Sequence, residues 1–398
     1  MPPLLKSFLQ FFTSMRLTVV LLVLSLLLVF FATLAQTNLG IWAVQAKYLH
    51  SLFVMARLPG TELDVPVFPG GYLIGGLLLL NLTAAHFSRL RLTWTKSGLW
   101  LTHFGLILLL LGELFTGLWQ QESLMQIDQG GTKTYSESLL KTELAVIDTT
   151  DPKFDDVVAI PTDLLQDLAT VQHPKLPFRI RTVSFTPNAQ LQMRSQVPNA
   201  PPSAANQGFG PQWVATPQPV SYKENEENFP TAVIELVGAD GSLGTWLVSA
   251  GFTEPQGVTV QGHAYELILR PVRHYYPFSI TLLKFSHDRY PGTDIPKNFS
   301  SRVRLRTPGG SVDREVLIYM NSPLRYGGLT FYQRSFGNND RTTILDVVRN
   351  PSWVLPYVSC VLMGLGLVIQ FAIHLTRFIR KRAAAAESLQ PLMNTDGH

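Results

Sequence analysis

The chain has 398 residues and a formal net charge of +4, and only 15% of its residues are charged whereas 46% are hydrophobic. The apolar residues are gathered into long runs, which is typical of a membrane protein, and no basic stripe of the kind that nucleic-acid binding requires is visible. The single cysteine, Cys360, lies in one of these runs. This excludes a disulfide within the chain and a thiolate metal site elsewhere in it.

Four apolar runs predict transmembrane helices, which need about 20 mostly apolar residues. They cover residues 17–35, 71–87, 98–119 and 352–375. The second run is the weakest, because it is short and contains Asn81. Without it, however, the basic residues that flank the runs would not share one side of the membrane.

The basic residues near the four runs fall into three groups. These are Lys6 and Arg16, then Arg89, Arg91 and Lys96, and finally Arg377, Arg380, Lys381 and Arg382. Lys and Arg mark the cytoplasmic side of membrane proteins. Four spans with both termini in the cytoplasm place every group there. The predicted arrangement has residues 1–35 as the cytoplasmic N-terminus and first span, 71–119 as the second and third spans with a cytoplasmic loop at 88–97, and 376–398 as a basic cytoplasmic tail.

The first external segment, residues 36–70, predicts an amphipathic helix on the outer membrane surface. In "GIWAVQAKYLHSLFVMARLPG" the apolar residues recur at mostly helical spacing, with Lys47 and Arg57 among them. Pro59 and Gly60 end this helix, and "VPVFPGG" turns the chain into the second span.

The second external segment, residues 120–351, predicts a β-rich domain. Alternating or β-branched runs separated by turn signals indicate short strands. They cover 176–186, 231–237, 263–270, 277–285, 301–306, 314–320, 328–333 and 342–348. So many short strands favour a sandwich or a partly open barrel. Residues 187–230 are rich in Pro, Asn and Gln and lack periodicity, so they predict a mobile insert that splits the domain.

Histidines mark the cytoplasmic ends of three spans. His103 lies roughly 7–8 Å into the third span at 1.5 Å per residue, whereas His86 and His374 lie near the ends of the second and fourth spans. Neutral imidazole commonly binds metals, including haem iron, and an ionisable residue inside a span is a functional candidate. The alternative is a histidine that reaches the headgroups or bonds a neighbouring helix, which suits His86 and His374 better than the deeper His103.

Glu113 is a second ionisable residue in the third span, roughly 15 Å beyond His103. It points about 80° away from His103 around the helix, so the two do not form a pair. It could satisfy a partner helix or line a ligand cavity. No G-x-S-x-G, Walker A or H-E-x-x-H motif is present, so no catalytic residue is predicted, and the absence of C-x-x-C-H means that this chain does not itself attach haem c.

Four stretches together resemble the ResB/CcsB family. "VPVFPGGYLIGGLLLLNLTAAHFSRL" and "GLWLTHFGLILLLLGELFTG" look like the second and third spans of that family, and "QQESLMQIDQGGTKTYSE" resembles the segment that follows. Near the end of the β domain, "NFSSRVRL…REVLIYMNSPLRYGGLTFYQRSFG" is similar to the family pattern of asparagine, "PL", "GG" and "FYQ-S". The resemblance covers both membrane regions and the close of the outer domain.

The resemblance implies a bacterial cytochrome c biogenesis protein of the pathway called system II. Such a subunit lies in the cytoplasmic (inner) membrane, with its large domain on the periplasmic or external side. It works with a CcsA-type haem-handling membrane protein and helps to carry haem b across the bilayer for covalent attachment to apocytochrome c. The family's haem-binding histidine falls on His103, which would be an axial ligand of the haem iron, and His86 is a second haem-binding candidate. This chain would be at most a non-catalytic subunit of a holocytochrome c synthase complex.

Two other functions remain open at this point. The four spans could form a scaffold that anchors a β domain, which docks apocytochrome or the partner without binding haem. The chain could also be a b-type haem electron carrier. Such carriers usually need ligand pairs at both membrane faces, whereas the histidines in these spans gather at one face only.

Overall fold

The structure is a computed structural model that describes residues 10–89, 93–223, 226–293, 296–338 and 340–393. The chain divides into two compact units. A helical unit contains the N-terminal 120 residues and the C-terminal segment from Asn350, and a β domain contains nearly all of the chain between them. Lys6 and Arg91 lie outside the described residues, so the predicted basic flanks are seen only in part.

Four long helices build the helical unit. They are α1 (Met15–Leu39), α2 (Gly71–Arg89), α3 (Ser97–Trp119) and α4 (Val354–Met393). All four are long and apolar enough to cross a membrane. Large apolar side chains on their outer faces are exposed, among them Leu26 and Phe371, as expected of helices whose solvent is lipid. The four predicted spans are therefore confirmed as helices.

Asn81, the residue that weakened the prediction of the second span, lies on α2 and is buried against the start of α1. Its amide nitrogen donates to the carbonyls of Phe12 at 2.7 Å and Ser14 at 3.2 Å, and its amide oxygen accepts from the Thr18 hydroxyl at 2.6 Å. A polar side chain in an apolar helix is tolerated when neighbouring helices satisfy it. Asn81 therefore joins α1 to α2.

The predicted surface helix in residues 36–70 is wrong in its second half. A short α-helix at Ile41–Val44 continues as a π-helix at Gln45–Leu49. The chain then forms an antiparallel hairpin of β1 (Phe53–Arg57) and β2 (Asp64–Pro69). Short apolar runs fit helix and strand periods almost equally well. Residues 53–57 form a strand because the later run "VPVF" in β2 pairs with them.

The β domain contains one ten-stranded sheet, a four-stranded sheet and a separate hairpin. Its strands are β3 (Gln121–Asp128), β4 (Thr132–Asp148), β5 (Asp156–Pro161), β6 (Thr170–Val171), β7 (Arg179–Thr186), β8 (Ala189–Met193), β9 (Trp213–Pro217), β10 (Thr231–Gly238), β11 (Gly241–Ser249), β12 (Gln256–Val260), β13 (His263–Arg289), β14 (Pro296–Arg306), β15 (Asp313–Tyr319), β16 (Leu324–Tyr326), β17 (Leu329–Gly337) and β18 (Thr342–Arg349). The large sheet has the order β15-β14-β13-β4-β3-β18-β17-β16 and is nearly closed, with β12 added beside β13 and β5 beside β4. The predicted mainly-β architecture is confirmed, and a nearly closed barrel describes its large sheet.

Two hydrophobic cores share the long strands of the β domain. One lies under the four-stranded sheet and includes Ile234, Trp246 and Leu267. The other fills the large sheet and includes Ile280 and Phe331. Strand β13 contributes to both cores, because its first half faces one and its second half the other. Two predicted strands, at 263–270 and 277–285, are thus a single continuous strand.

Residues 187–230 were predicted to be a mobile insert without regular structure, and this is wrong for much of the segment. Strands β8 and β9 form a hairpin within it. Trp213 and Ala215 from this hairpin, together with Ala205, pack on Val233 and Leu247. The prediction failed because these few apolar residues are scattered among Pro, Asn and Gln and show no regular spacing. They nevertheless cover part of the four-stranded sheet.

Candidate functional site

A stripe of glycines fixes helix α3 closely against α4. Gly98, Gly105 and Gly112 recur every seven residues, so they share one face of α3, and all three are buried. A methyl group at Gly98 would lie 2.5 Å from the carbonyl oxygen of Gly366 on α4. Small residues permit this approach of helix backbones, which is common between membrane helices. The stripe was visible in the sequence as a seven-residue repeat but was not recognised there.

His103 lies on the other side of α3, roughly 140–180° around the helix from the glycine stripe. Its side chain is half-buried. The ring nitrogen Nδ1 is 2.8 Å from the carbonyl oxygen of Leu99, one turn earlier. Nδ1 must donate in this hydrogen bond, because a carbonyl only accepts, and the neutral ring then carries its lone pair on Nε2. This is the tautomer that a metal-binding histidine uses when a backbone carbonyl orients it.

His86 on α2 faces α3 and is completely buried. Its ring centre is 4.7 Å from that of Trp100 and 6.3 Å from that of Phe104, both on α3. Neither ring nitrogen has a hydrogen-bond partner in the described structure. An imidazole that reached for headgroups would be exposed at its polar end, so the burial of His86 contradicts that interpretation. Trp100 and Phe104 were missed because aromatic residues in an apolar run carry no distinguishing pattern.

The two candidate ligands come together on one helix pair. His86 packs on Trp100 and Phe104, which lie three residues before and one residue after His103 on α3. Trp100 and Phe104 stack on each other with ring centres 5.3 Å apart. The α2–α3 pair therefore carries one buried imidazole packed on two aromatic rings and a second, half-buried imidazole next to them on α3, whose nitrogen lone pair is able to bind a metal centre.

His374 and Glu113 do not join this pair. His374 Nε2 accepts a hydrogen bond from the side-chain amide nitrogen of Gln370 at 3.0 Å. The side-chain amide oxygen of Gln370 accepts a hydrogen bond from the backbone N–H of Leu99 at 3.2 Å. His374 therefore has a structural partner on its own helix. Glu113 is exposed.

The histidines outside the four long helices are dispersed. His50 stacks on Tyr72 with ring centres 5.5 Å apart, whereas His263 and His287 pair with Asp148 and Asp340. In the part of the chain that the structure describes, no cluster of three His, Cys, Asp or Glu residues could hold a metal ion. The α2–α3 pair is thus the best candidate site among the described histidines.

The fold and this site define a class of protein, namely a bundle of four apolar, membrane-length helices that carries a large β domain and presents two imidazoles at one end. Residues 241–344 of this chain match the model of the ResB-like family. The chain is also 36% identical over 102 residues to Protein NrfI of Wolinella succinogenes, in an alignment that covers 26% of this chain and 11% of that protein. Both matches agree with the predicted resemblance to the ResB/CcsB family over this part of the chain.

The family match extends from β11 to β18 and so lies entirely in the β domain. This chain spans only about a tenth of the length of the curated relative that it matches. The site on α2 and α3 lies outside the matched residues. Its interpretation therefore depends on the geometry of His86 and His103.

Proposed function

We propose that this chain is a membrane subunit in cytochrome c biogenesis that holds haem b as cargo between α2 and α3 during its passage across the bilayer. The family assignment supports cytochrome c biogenesis as the general process. The observation that carries the haem assignment is His86, which is fully buried and has two unpartnered nitrogens beside His103. A buried polar atom without a partner costs about 1–3 kcal/mol, so a ligand or partner that occupies the site would recover this free energy.

In this proposal His103 is the axial ligand of the haem iron, supplied through Nε2. The hydrogen bond to Leu99 holds the required tautomer and the ring orientation. His86 lies against the ligand as a neighbour or alternative ligand. Trp100 and Phe104 supply apolar contact for a porphyrin face. When bound, haem offers an iron centre that accepts imidazole nitrogen, and the second axial ligand would come from a CcsA-type partner.

The topology in this proposal is supported by the basic residues that flank the four helices. Both termini lie in the cytoplasm and the β domain lies on the periplasmic or external side of a bacterial inner membrane. Haem would then enter the α2–α3 pair from the cytoplasmic half and leave toward apocytochrome c outside. The β domain, in this proposal, docks the partner or apocytochrome.

The first test is the absorption spectrum of the full chain purified in detergent, with and without the partner. We expect a haem Soret band that falls in His103→Ala and returns when imidazole is added to His103→Gly. His374→Ala is the matched control, because that histidine is bonded to Gln370 and is expected to leave the band unchanged. An undiminished band in His103→Ala would refute ligation by His103.

A second variant separates the site from the scaffold alternative. Replacing His86 with Phe keeps a flat ring of similar size but removes both unpartnered nitrogens. We expect the haem-free protein to keep or gain thermal stability, while the haem content falls. If His86→Phe instead unfolds the haem-free protein, His86 is a structural residue and the scaffold function gains support.

A further inference from the structure

A cleft opens in the β domain where its first and last strands meet. It has a volume of about 540 Å³, within the range of about 300–1,000 Å³ typical of small-molecule sites. Gln121 on β3 and Arg349 on β18 pair with each other, and both line it. The other lining residues are Ser123, Arg273, His274, Tyr275, Tyr276, Gly327, Gly328, Leu329 and Val347. Most of these side chains are polar, so the cleft suits a polar ligand.

A turn of two glycines supplies backbone donors to the cleft. Gly327 and Gly328 connect β16 to β17 with φ of 60° and 76°, the left-handed conformation that a tight hairpin turn of this kind requires. Neither of their N–H groups has a hydrogen-bond partner in the part of the chain that the structure describes. A methyl group on Gly328 would meet nothing within 4 Å, so the space beside the turn is open. Successive backbone N–H groups in a turn are able to bind an anion.

The charge of the cleft is positive. Arg273 and Arg349 both line it, and none of the described lining residues is acidic. Arg273 donates to Glu137 at 3.0 Å and lies 4.4 Å from the centre of the Tyr135 ring, so its position is fixed and its charge is balanced. Arg349 is exposed and has neither an ion pair nor a side-chain hydrogen bond within the described ranges. A guanidinium forms two parallel hydrogen bonds to the oxygens of an anion, and Arg349 is available for this.

Buried hydrogen bonds hold one wall of the cleft. Ser136 is completely buried and bonds both the Ser123 hydroxyl, at 2.7 Å, and the Tyr276 hydroxyl. Strand β13 bulges at the same place, since its pairing with β4 shifts register between Tyr275 and Ile280. These contacts form the wall before any ligand binds, which lowers the entropy that binding costs.

Short connections join the cleft to two of the membrane-length helices. Gln121 follows Trp119, the last residue of α3, by two residues, and Arg349 precedes Val354, the first residue of α4, by five. At roughly 3.3–3.6 Å per residue, these connections keep Gln121 and Arg349 within roughly 7 and 18 Å of the helix ends. Trp119 and Trp353, which lie at these ends, are exposed, as aromatic residues are at a membrane surface. In a membrane, phospholipid headgroups therefore lie within reach of the cleft.

We infer that this cleft binds the phosphate group of an anionic phospholipid from the adjacent membrane leaflet. Arg349 pairs with the phosphate oxygens, and the N–H groups of Gly327 and Gly328 donate to them. A zwitterionic lipid fits less well, because its ammonium group would meet the same uncompensated guanidinium. The short connections to α3 and α4 favour a lipid over a soluble phosphate. The inference requires that the four helices cross a membrane, but it does not depend on haem.

The test is calorimetric titration of the full chain, in a non-ionic detergent, with dihexanoyl phosphatidylglycerol. We expect a site whose affinity falls about tenfold or more in Arg349→Gln, as loss of a hydrogen bond to a charged group would cause. Arg349→Lys keeps the charge but loses the paired donors, so its affinity should lie between those of Arg349→Gln and the parent chain. Arg302→Gln is the matched control, because Arg302 is exposed on β14 and does not line the cleft.

A chemical footprint locates the bound lipid. Phenylglyoxal modifies accessible arginines, and phosphatidylglycerol should protect Arg349 while Arg302 stays reactive in the same sample. Protection of both arginines, or of neither, would overturn the inference. Equal affinity of Arg349→Gln and the parent chain for phosphatidylglycerol would also overturn it.

Two further ligands test the source of the phosphate. Dihexanoyl phosphatidylcholine has the same acyl chains, and equal binding of this lipid would show that the chains and not the anion are recognised. Inorganic phosphate that protects Arg349 as strongly as phosphatidylglycerol would assign the cleft to a soluble phosphate and overturn the lipid. None of these measurements uses the Soret band, so a failure of the proposed function and a failure of this inference are seen separately.

Discussion

Replacing Gly98 with Ala tests the close approach of α3 and α4. The added methyl group would lie 2.5 Å from the carbonyl oxygen of Gly366 and 2.6 Å from the backbone nitrogen of Gln370. Ordinary contact begins near 3.4 Å, so the helices must separate by nearly 1 Å. Both obstacles are backbone atoms, which no side-chain rotation can move. Overpacking of this kind costs about 1–3 kcal/mol.

The assay is thermal unfolding of the purified chain in detergent, followed by intrinsic fluorescence. A unit of this size loses about 2–4 °C in Tm per kcal/mol, so we expect a fall of several degrees. Gly364→Ala is the matched control, because it lies on α4 two residues from Gly366 and a methyl group there meets nothing within 4 Å. Equal Tm values for Gly98→Ala and Gly364→Ala would refute the close packing of these helices.

Three further changes test other parts of the structure. Asn81→Leu should reduce the stability of the helical unit by about 1–3 kcal/mol and lower its Tm, because the carbonyls of Phe12 and Ser14, just before α1, lose their donor. Gln333→Leu should destabilise the β domain, since the buried Thr343 hydroxyl loses the Gln333 amide at 2.9 Å. A hydrogen bond from Arg304 lowers the pKa of Asp313 from its ordinary value of 3.8 to about 2. The ionised Asp313 carboxylate should therefore stabilise the folded chain above pH 3.8, and this stabilisation should be lost as the pH falls toward 2. Acid unfolding of Asp313→Asn should show the smaller dependence on pH in that range.

Each of these changes has an outcome that contradicts its reasoning. Asn81→Leu with unchanged Tm would mean that the carbonyls of Phe12 and Ser14 find other partners. The control for Gln333→Leu is Tyr332→Phe, because the Tyr332 ring is exposed. Equal stability of these two variants would contradict the role of the Gln333 hydrogen bond. Identical acid-unfolding curves for Asp313→Asn and the parent chain would show that the ion pair with Arg304 does not form in solution.

The four long helices and seven of the eighteen described strands could be predicted from the sequence because their signals are local, whereas the four strands within residues 121–171 were not predicted. A run such as 17–35 is too long and too apolar to be anything but a spanning or fully buried helix, and β-branched alternation marked most of the later strands. The hairpin of β1 and β2 could not be predicted in this way. Its first strand also fits a helical period, and only pairing with a segment seven residues further on decides between the two.

The candidate site was predictable in its chemistry but not in its geometry. His103 stood out because an ionisable residue in an apolar run is costly. Its tautomer depends on a contact with the Leu99 carbonyl, which no sequence pattern reports. His86 was ranked lower because position alone placed it near the end of its span, and its burial arises from Trp100 and Phe104 on another helix.

His86 is the residue that most favours a binding role for this helix pair, because both of its ring nitrogens are buried and lack a hydrogen-bond partner among the described residues. A leucine or phenylalanine at position 86 would fill the same space without leaving two buried nitrogens unsatisfied. Either residue would therefore be expected to stabilise the contact with Trp100 and Phe104. Stability alone therefore does not account for a histidine here. His103 nearby donates its Nδ1 proton to the Leu99 carbonyl, which leaves Nε2 free to bind a metal. Trp100 and Phe104, which pack on His86, offer no oxygen that could accept a hydrogen bond from it. In the proposed function, a bound ligand or a partner group would satisfy the two buried nitrogens of His86.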